Sequence, residues 1–301
     1  MPTYVPTGCL HLFGRLGPMY LQSELGGSDA ILCASLFRRV DGRLIELLRS
    51  LETQEWDAQT IAGRWRVRDV AAHLLDTALR KLSLVRDSWF AESASPRTPP
   101  EVSALVNRLN AEGVAVYRRL SPALLIEWMT AVCEQSAIFH ESLDPFAPAL
   151  FNVSWAGEEA SLNWFDTARE LTERWHHQQQ IRLATGRPGI MTPELAYPVL
   201  DCFVRGLPYA YRLSPAPPST NILLEIAGEC GGTWVLSRGS EKWTFLREMP
   251  ESIACGVTLP QEIAWRVFTK GIARDEALAH SRIEGDPTLA GGILGHIAIV
   301  A

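Results

Sequence analysis

Over its first two thirds the chain repeats hydrophobic positions at helical spacing. In LFRRVDGRLIELLRSLE, Leu36 to Glu52, residues Leu36, Val40, Leu44, Leu47, Leu48 and Leu51 fall on one face and predict an amphipathic helix. EWDAQTIAGRW breaks the period and reads as a loop. From Val67 a second helix is expected, with Val67, Val70, Ala71, Leu74 and Ala78 as its apolar stripe. SASPRTPPE, from Ser93, holds three prolines and reads as a loop. A third helix is expected from Val102 to Arg119. Ser121-Pro122 then reads as the capped start of a short helix ending near His140. A fourth long helix is expected from Asn163 to Thr185, stopped by Gly186-Arg187-Pro188-Gly189, and a further one from Pro193 to about Tyr211. Four long helices with connections of moderate length predict a bundle.

The period then changes. RLSPAPPST is a Pro-rich linker. After it, NILLEIAG reads as a strand, and GTWVLSRGSEKWTFLRE as two strands about Arg238-Gly239-Ser240. ACGVTLPQEIAWRVFTKG and AHSRIEGDPTLAGGILGHIAIV each read as strand then helix, the last helix starting at Asp286-Pro287. The chain thus divides into an irregular leader (1–29), a helix bundle (30–212), a linker (213–220) and a small α+β domain (221–301), which the linker would let close over the bundle.

Bulk properties narrow the function. The 301 residues are 47% hydrophobic with a formal charge of -6, and no long basic run is present, so nucleic acid is not an expected partner. No run of 18 apolar residues predicts a membrane span. The N-terminus lacks the basic start and apolar block of a signal peptide. The six cysteines (Cys9, Cys33, Cys133, Cys202, Cys230 and Cys255) are widely and unevenly spaced, with no CxxC, and read as reduced thiols of a cytoplasmic protein. A monomer or a homodimer is expected, with a small molecule as the partner that the resemblance described below implies.

Candidate chemistry is concentrated in ERWHHQQQ, Glu173 to Gln180. Glu173 and His177 are four apart and share a helix face, so they can bind one ion together, or simply bond each other at a surface. His176 points about 100 degrees away from His177. A third donor is needed, and His73 stands mid-helix with Asp69, Val70, Asp76 and Thr77 three and four residues away. It reads equally as a core histidine bonded to Asp76, or as a ligand whose second nitrogen that carboxylate holds.

EWDAQTIAGRWRVRDVAAHLLD resembles the signature of the mycothiol-dependent maleylpyruvate isomerase N-terminal family, within the DinB-like metalloproteins. The matching residues are Trp65, Val67, Arg68, Asp69, Ala72, His73 and Leu74. A second family block is matched by Glu173, Trp175, His177, Gln178, Gly186, Arg187 and Pro188. AWRVFTKG and RIEGDPTLAGGIL resemble the family's small, sterol-carrier-like C-terminal domain, so the resemblance covers about residues 30–301. Two departures stand near the presumed site: Ile61-Ala62-Gly63-Arg64-Trp65 replaces the family's Cys-x-Gly-Trp, and Gln179 stands where an Asp is usual.

The resemblance implies a mainly α chain, a DinB-like four-helix bundle followed by a small α+β domain. It also implies one divalent ion held by His73, Glu173 and His177: Zn(II) first, with Ni(II), Fe(II) or Mn(II) also suited to two His and a carboxylate. His176 would pack to one side and the glutamines would form a polar rim. The ion would activate mycothiol, whose thiolate would add to a cis-enone diacid, allow rotation and leave. Arg282 and Arg266 are the candidate carboxylate-binding residues, each alternatively a plain surface arginine. S-transfer on a small electrophile is a related reading. Metal-bound water attacking an amide or a thiol conjugate is an alternative. A non-catalytic metal- or ligand-binding module is another.

Overall fold

The computed structural model describes residues 25–27, 29–89 and 99–299. Most of the expected leader, Cys9 included, lies outside the described residues. The helical part comprises α1 (Phe37–Ser50), α2 (Val67–Lys81), α3 (Pro99–Tyr117), α4 (Pro122–Ser142), α5 (Asn163–Thr185), α6 (Pro193–Val204) and α7 (Leu207–Ala210). It is followed by β1 (Asn221–Ala227), β2 (Gly232–Arg238), β3 (Trp243–Phe245), β4 (Cys255–Pro260), α8 (Gln261–Phe268), α9 (Arg274–Ala279), β5 (Arg282–Gly285) and α10 (Gly291–Leu294). The chain is therefore mainly helical, with a helical N-terminal part and an α+β C-terminal part, as expected. No helix among the described residues is long and apolar enough to cross a membrane.

Local chemistry sets the element boundaries. Ser121 Oγ accepts from Leu124 N (3.3 Å), and Pro122 opens α4. That helix runs for 21 residues and is not short. Thr185 is followed by Gly186 at φ 64°, a left-handed residue that ends α5 at little steric cost. The single helix expected from Pro193 to Tyr211 is divided at Arg205-Gly206. A Cβ on Gly206 would lie 2.4 Å from the His296 ring, so this position admits only glycine. Asp286-Pro287 does not start a helix. Asp286 Oδ1 accepts from Thr288 N (2.9 Å) and Oγ1 (2.7 Å), holding a turn, and α10 begins at Gly291.

The sheet order is β3-β2-β1-β4-β5, with β1 and β4 parallel and the other pairs antiparallel. Ile222, Leu224, Ile226, Trp234, Leu236, Val257 and Leu259 project from one face into a core shared with α5, α6 and α7. Trp175 meets Trp265 edge-on at 6.0 Å, Phe203 meets Phe268 at 6.0 Å, and Tyr211 meets Trp243 at 5.3 Å. The expectation of a small domain free to close is corrected here, because the residues before and after the linker are buried in one continuous core and leave no hinge. A second core joins α1, α2 and α4 through Leu44, Leu48, Val70, Leu74, Met129 and Leu125, with Ile181 from α5.

The five described cysteines are buried and free. Burial pushes the Cys33 thiol up to about 12, as befits a packing residue rather than a nucleophile.

A buried ion pair fastens α5 to its neighbours. Arg174 Nη1 lies 3.1 Å from Asp41 Oδ1 on α1, and its Nη2 donates to Ser136 Oγ on α4 at 3.1 Å. Burial pushes the Asp41 carboxyl up, and Arg174 opposes that shift. Arg174→Met should therefore cost about 3–5 kcal/mol, because it leaves a buried carboxylate uncompensated. The check is a urea melt; a loss below about 1 kcal/mol would contradict the pairing.

Burial also drives the His140 imidazole down to about 3 and that of His296 down to about 4. Both are nearly inaccessible, at 2% and 3% exposure. With folded values below the ordinary histidine value, the unfolded chain binds more protons between about pH 4 and 6.5. Stability is accordingly complete above that window and falls as pH drops through it. Each histidine should remove about 2 kcal/mol at pH 5 relative to pH 7. Unchanged urea midpoints between pH 7 and 5 would contradict this.

Candidate metal centre

Two segments far apart in sequence supply the site. The first is the loop into α2. Thr60 N and Oγ1 both donate to Trp65 O, at 3.2 and 2.6 Å, and Gly63 takes a φ of 58° to close the turn. Arg66 N donates to Asp69 Oδ2 at 3.0 Å, which caps α2, and Arg68 pairs with Asp57 across the loop. The loop thereby fixes Trp65 over the first turns of α2, its ring 4.7 Å from that of His73.

The second segment is α5, antiparallel to α2. Lys81, at the end of α2, pairs with Asp166 near the start of α5 at 2.5 Å and with Glu170 at 3.4 Å. At the other end His73 meets His177, with ring centroids 4.6 Å apart. The two contacts fix the register of one helix on the other. His73, Glu173 and His177 then each offer a donor atom, all within 4.8 Å of one another. The structure therefore brings together the three residues singled out from the sequence, and they can hold a metal ion.

Their surroundings set the protonation states. Burial, followed by neighbouring His177 and Arg80, pushes the His73 imidazole well below the ordinary value. Burial pushes the Glu173 carboxyl up, but the two adjacent imidazoles and Arg169 outweigh it and hold the group at about 2. His73 neutral and Glu173 ionised are the forms in which these groups bind cations. His177 Nδ1 lies 2.8 Å from Gln180 Oε1, and its Nε2 lies 3.5 Å from Glu173 Oε2. With the amide oxygen as acceptor the proton sits on Nδ1, leaving the Nε2 lone pair on the Glu173 side.

The readings of the neighbours are partly corrected. Asp76 does not hold His73: its carboxylate pairs with Arg80 at 2.9 Å, and His73 Nδ1 is buried without a hydrogen-bond partner. The glutamines do not form a rim. Gln178 is fully buried and links Val40 O to Arg182, while Gln180 orients His177. Only Gln179 is partly exposed. His176 lies to one side as expected, its Nδ1 2.8 Å from Thr172 O. Arg282 is on β5, half exposed, beside Glu225, Glu284 and Thr258. Arg266 donates to Gly271 O and meets Glu276. Neither has a hydrogen bond or ion pair with His73, Glu173 or His177.

Lys81, Asp166, Arg169 and Glu170 are the residues that the sequence reading missed. The signal was available: Asp166, Arg169, Glu170, Glu173 and His177 fall on one face of α5. A run of charges at that spacing reads as a solvated helix face, and only the packing of α2 against it shows that it is buried.

Fold and site together define a helical bundle with a His-Glu-His constellation between two of its helices. Residues 37–182 match the family model of the mycothiol maleylpyruvate isomerase N-terminal domain, the family that the sequence resembles. Crystal structures of a mycothiol-dependent maleylpyruvate isomerase and of a His-to-Ala mutant of it are similar to this chain. Each has a TM-score of 0.48 and 12% identity, over 78% of this chain and 86% of theirs. No curated protein matches the chain.

Proposed function

We propose that the protein is a divalent-metal-dependent, mycothiol-using isomerase of a small unsaturated keto acid, with the ion held by His73, Glu173 and His177. The observation that carries this reading is the convergence of two imidazoles and one carboxylate within 4.8 Å, with His73 held neutral and Glu173 held ionised by their surroundings. The match of residues 37–182 to the N-terminal domain of mycothiol maleylpyruvate isomerases suggests the reaction class.

Two nitrogens and one oxygen leave coordination positions open, which suits a catalytic rather than a structural ion. When bound, the ion supplies a positive charge that favours the thiolate over the thiol near neutral pH. The residues of the chain do the rest. Glu173 contributes the negative charge of the donor set. Gln180 holds His177 in one tautomer. Trp65 covers the His73 side and limits the entry of water. The Lys81–Asp166 pair keeps α2 and α5 at the separation that lets the three donors meet.

The purified protein should carry about one equivalent of a divalent ion, and His73→Ala and Glu173→Gln should each lose it. Conversion of maleylpyruvate to its trans isomer should require both the ion and mycothiol. Elemental analysis and ultraviolet-monitored turnover are the measurements. Retention of metal by both variants would remove the ligand assignment, and turnover without any thiol would favour metal-bound water as the reactant.

Gln180→Leu should weaken metal affinity about 10–100-fold without altering the fold, since it removes only the group that orients a ligand. Competition with a chromophoric chelator reads this, and an unchanged affinity would show that the Nδ1 contact has no bearing on the site.

A further inference from the structure

The expectation of a carboxylate-binding arginine from the small domain finds no contact at the site, but α5 itself carries one. Residues 169, 173 and 177 are successive steps of four along the helix, so Arg169 stands in the same column as Glu173 and His177, one turn before the carboxylate. Its Nη2 is engaged by Asp166 Oδ1 (2.5 Å) and Glu170 Oε1 (2.8 Å), which hold the side chain in place. Its Nε is buried and has no hydrogen-bond partner. A guanidinium fixed along one edge with an unanswered N–H elsewhere is a preorganised receptor for a carboxylate oxygen.

Two comparisons single it out. Lys81, the cation that α2 brings to the column, is nearly inaccessible, with 5% of its side chain exposed, and is taken up by Asp166 and Glu170. Arg80, on the facing helix, is taken up by Asp76 and Asn110. Arg169 and Glu173, at 18% and 25%, are the members of the α5 column that reach toward solvent. The column's charge fits the same ligand. Asp166, Glu170 and Glu173 against Lys81 and Arg169 leave one formal negative charge, which a divalent ion would turn into one positive charge.

We infer that Arg169 is the residue that grips a carboxylate of the organic-acid substrate and orients it beside the ion. This rests on the metal-site reading of the preceding section. The substrate class it defines is a small acid whose carboxylate lies within one helical turn of the reacting centre.

The test uses maleate, an unreactive dicarboxylate, and its dimethyl ester as probes of the full-length protein, both metal-free and zinc-loaded. Calorimetry should show Arg169→Gln weakening maleate binding at least tenfold, with ester binding unchanged and zinc still bound. Wild-type-like maleate binding by Arg169→Gln would overturn the proposal, and so would loss of zinc by that variant, which would make Arg169 a support of the ligand helix only. In wild-type protein, maleate should slow modification of Arg169 by an arginine-selective dicarbonyl about fivefold, read by peptide mapping. Absence of protection would also overturn it, whether or not the variant folds. If the wild type takes up no zinc, the metal reading fails on its own, and the metal-free maleate measurements still decide the role of Arg169.

Discussion

The structure depends on how α5 buries charge. A helix that carries Asp166, Arg169, Glu170, Glu173 and His177 along one face cannot place that face against hydrocarbon without compensation. The compensation is local: Lys81 and Arg169 sit among the acids, and the His177 ring lies beside Glu173. The remaining faces of α5 are conventional. Leu171 and Trp175 enter the core shared with the sheet, Ile181 enters the core between α1, α2 and α4, and Arg174 is fastened to Asp41. The helix is thus fixed on every side, and the charged strip between two apolar cores is the place where chemistry can occur.

This arrangement links stability and function through one contact surface. The Lys81–Asp166 pair and the His73–His177 contact lie at opposite ends of the α2–α5 interface, and one register satisfies both. Residues remote from His73, Glu173 and His177 therefore help to set the distances between these three side chains. The sheet is also part of this frame rather than a lid, because Trp265 and Phe268 of α8 pack on Trp175 and Phe203. The partly exposed edge of the column is where Glu173 and Arg169 lie.

Much of this was legible in the sequence because its signals were local. Helical spacing located α1, α2 and α5, Ser121-Pro122 marked a capped start, and Gly186 marked a stop. Alternation and turn residues located the strands. The i, i+4 relation of Glu173 to His177 was readable, and the motif at Trp65 to Leu74 connected His73 to them. What was not readable depended on packing across distant segments. Gln178 and Gln180 looked like surface residues because nothing in their own helix shows that α1 and the ligand ring need them. Gly206 divides an otherwise continuous helical pattern because of a histidine 90 residues later in the chain. The linker's prolines indicated separation, yet the apolar residues on both sides of it share a core.

The central claim is that two imidazoles and one carboxylate from α2 and α5 form the inner coordination sphere of a divalent ion. X-ray absorption at the zinc edge of the zinc-loaded protein tests this most directly. The account predicts nitrogen and oxygen scatterers at about 2.0–2.1 Å, with the outer-shell signature of two imidazoles. A sulfur shell near 2.3 Å in the absence of added thiol, or a spectrum without imidazole scattering, would contradict it.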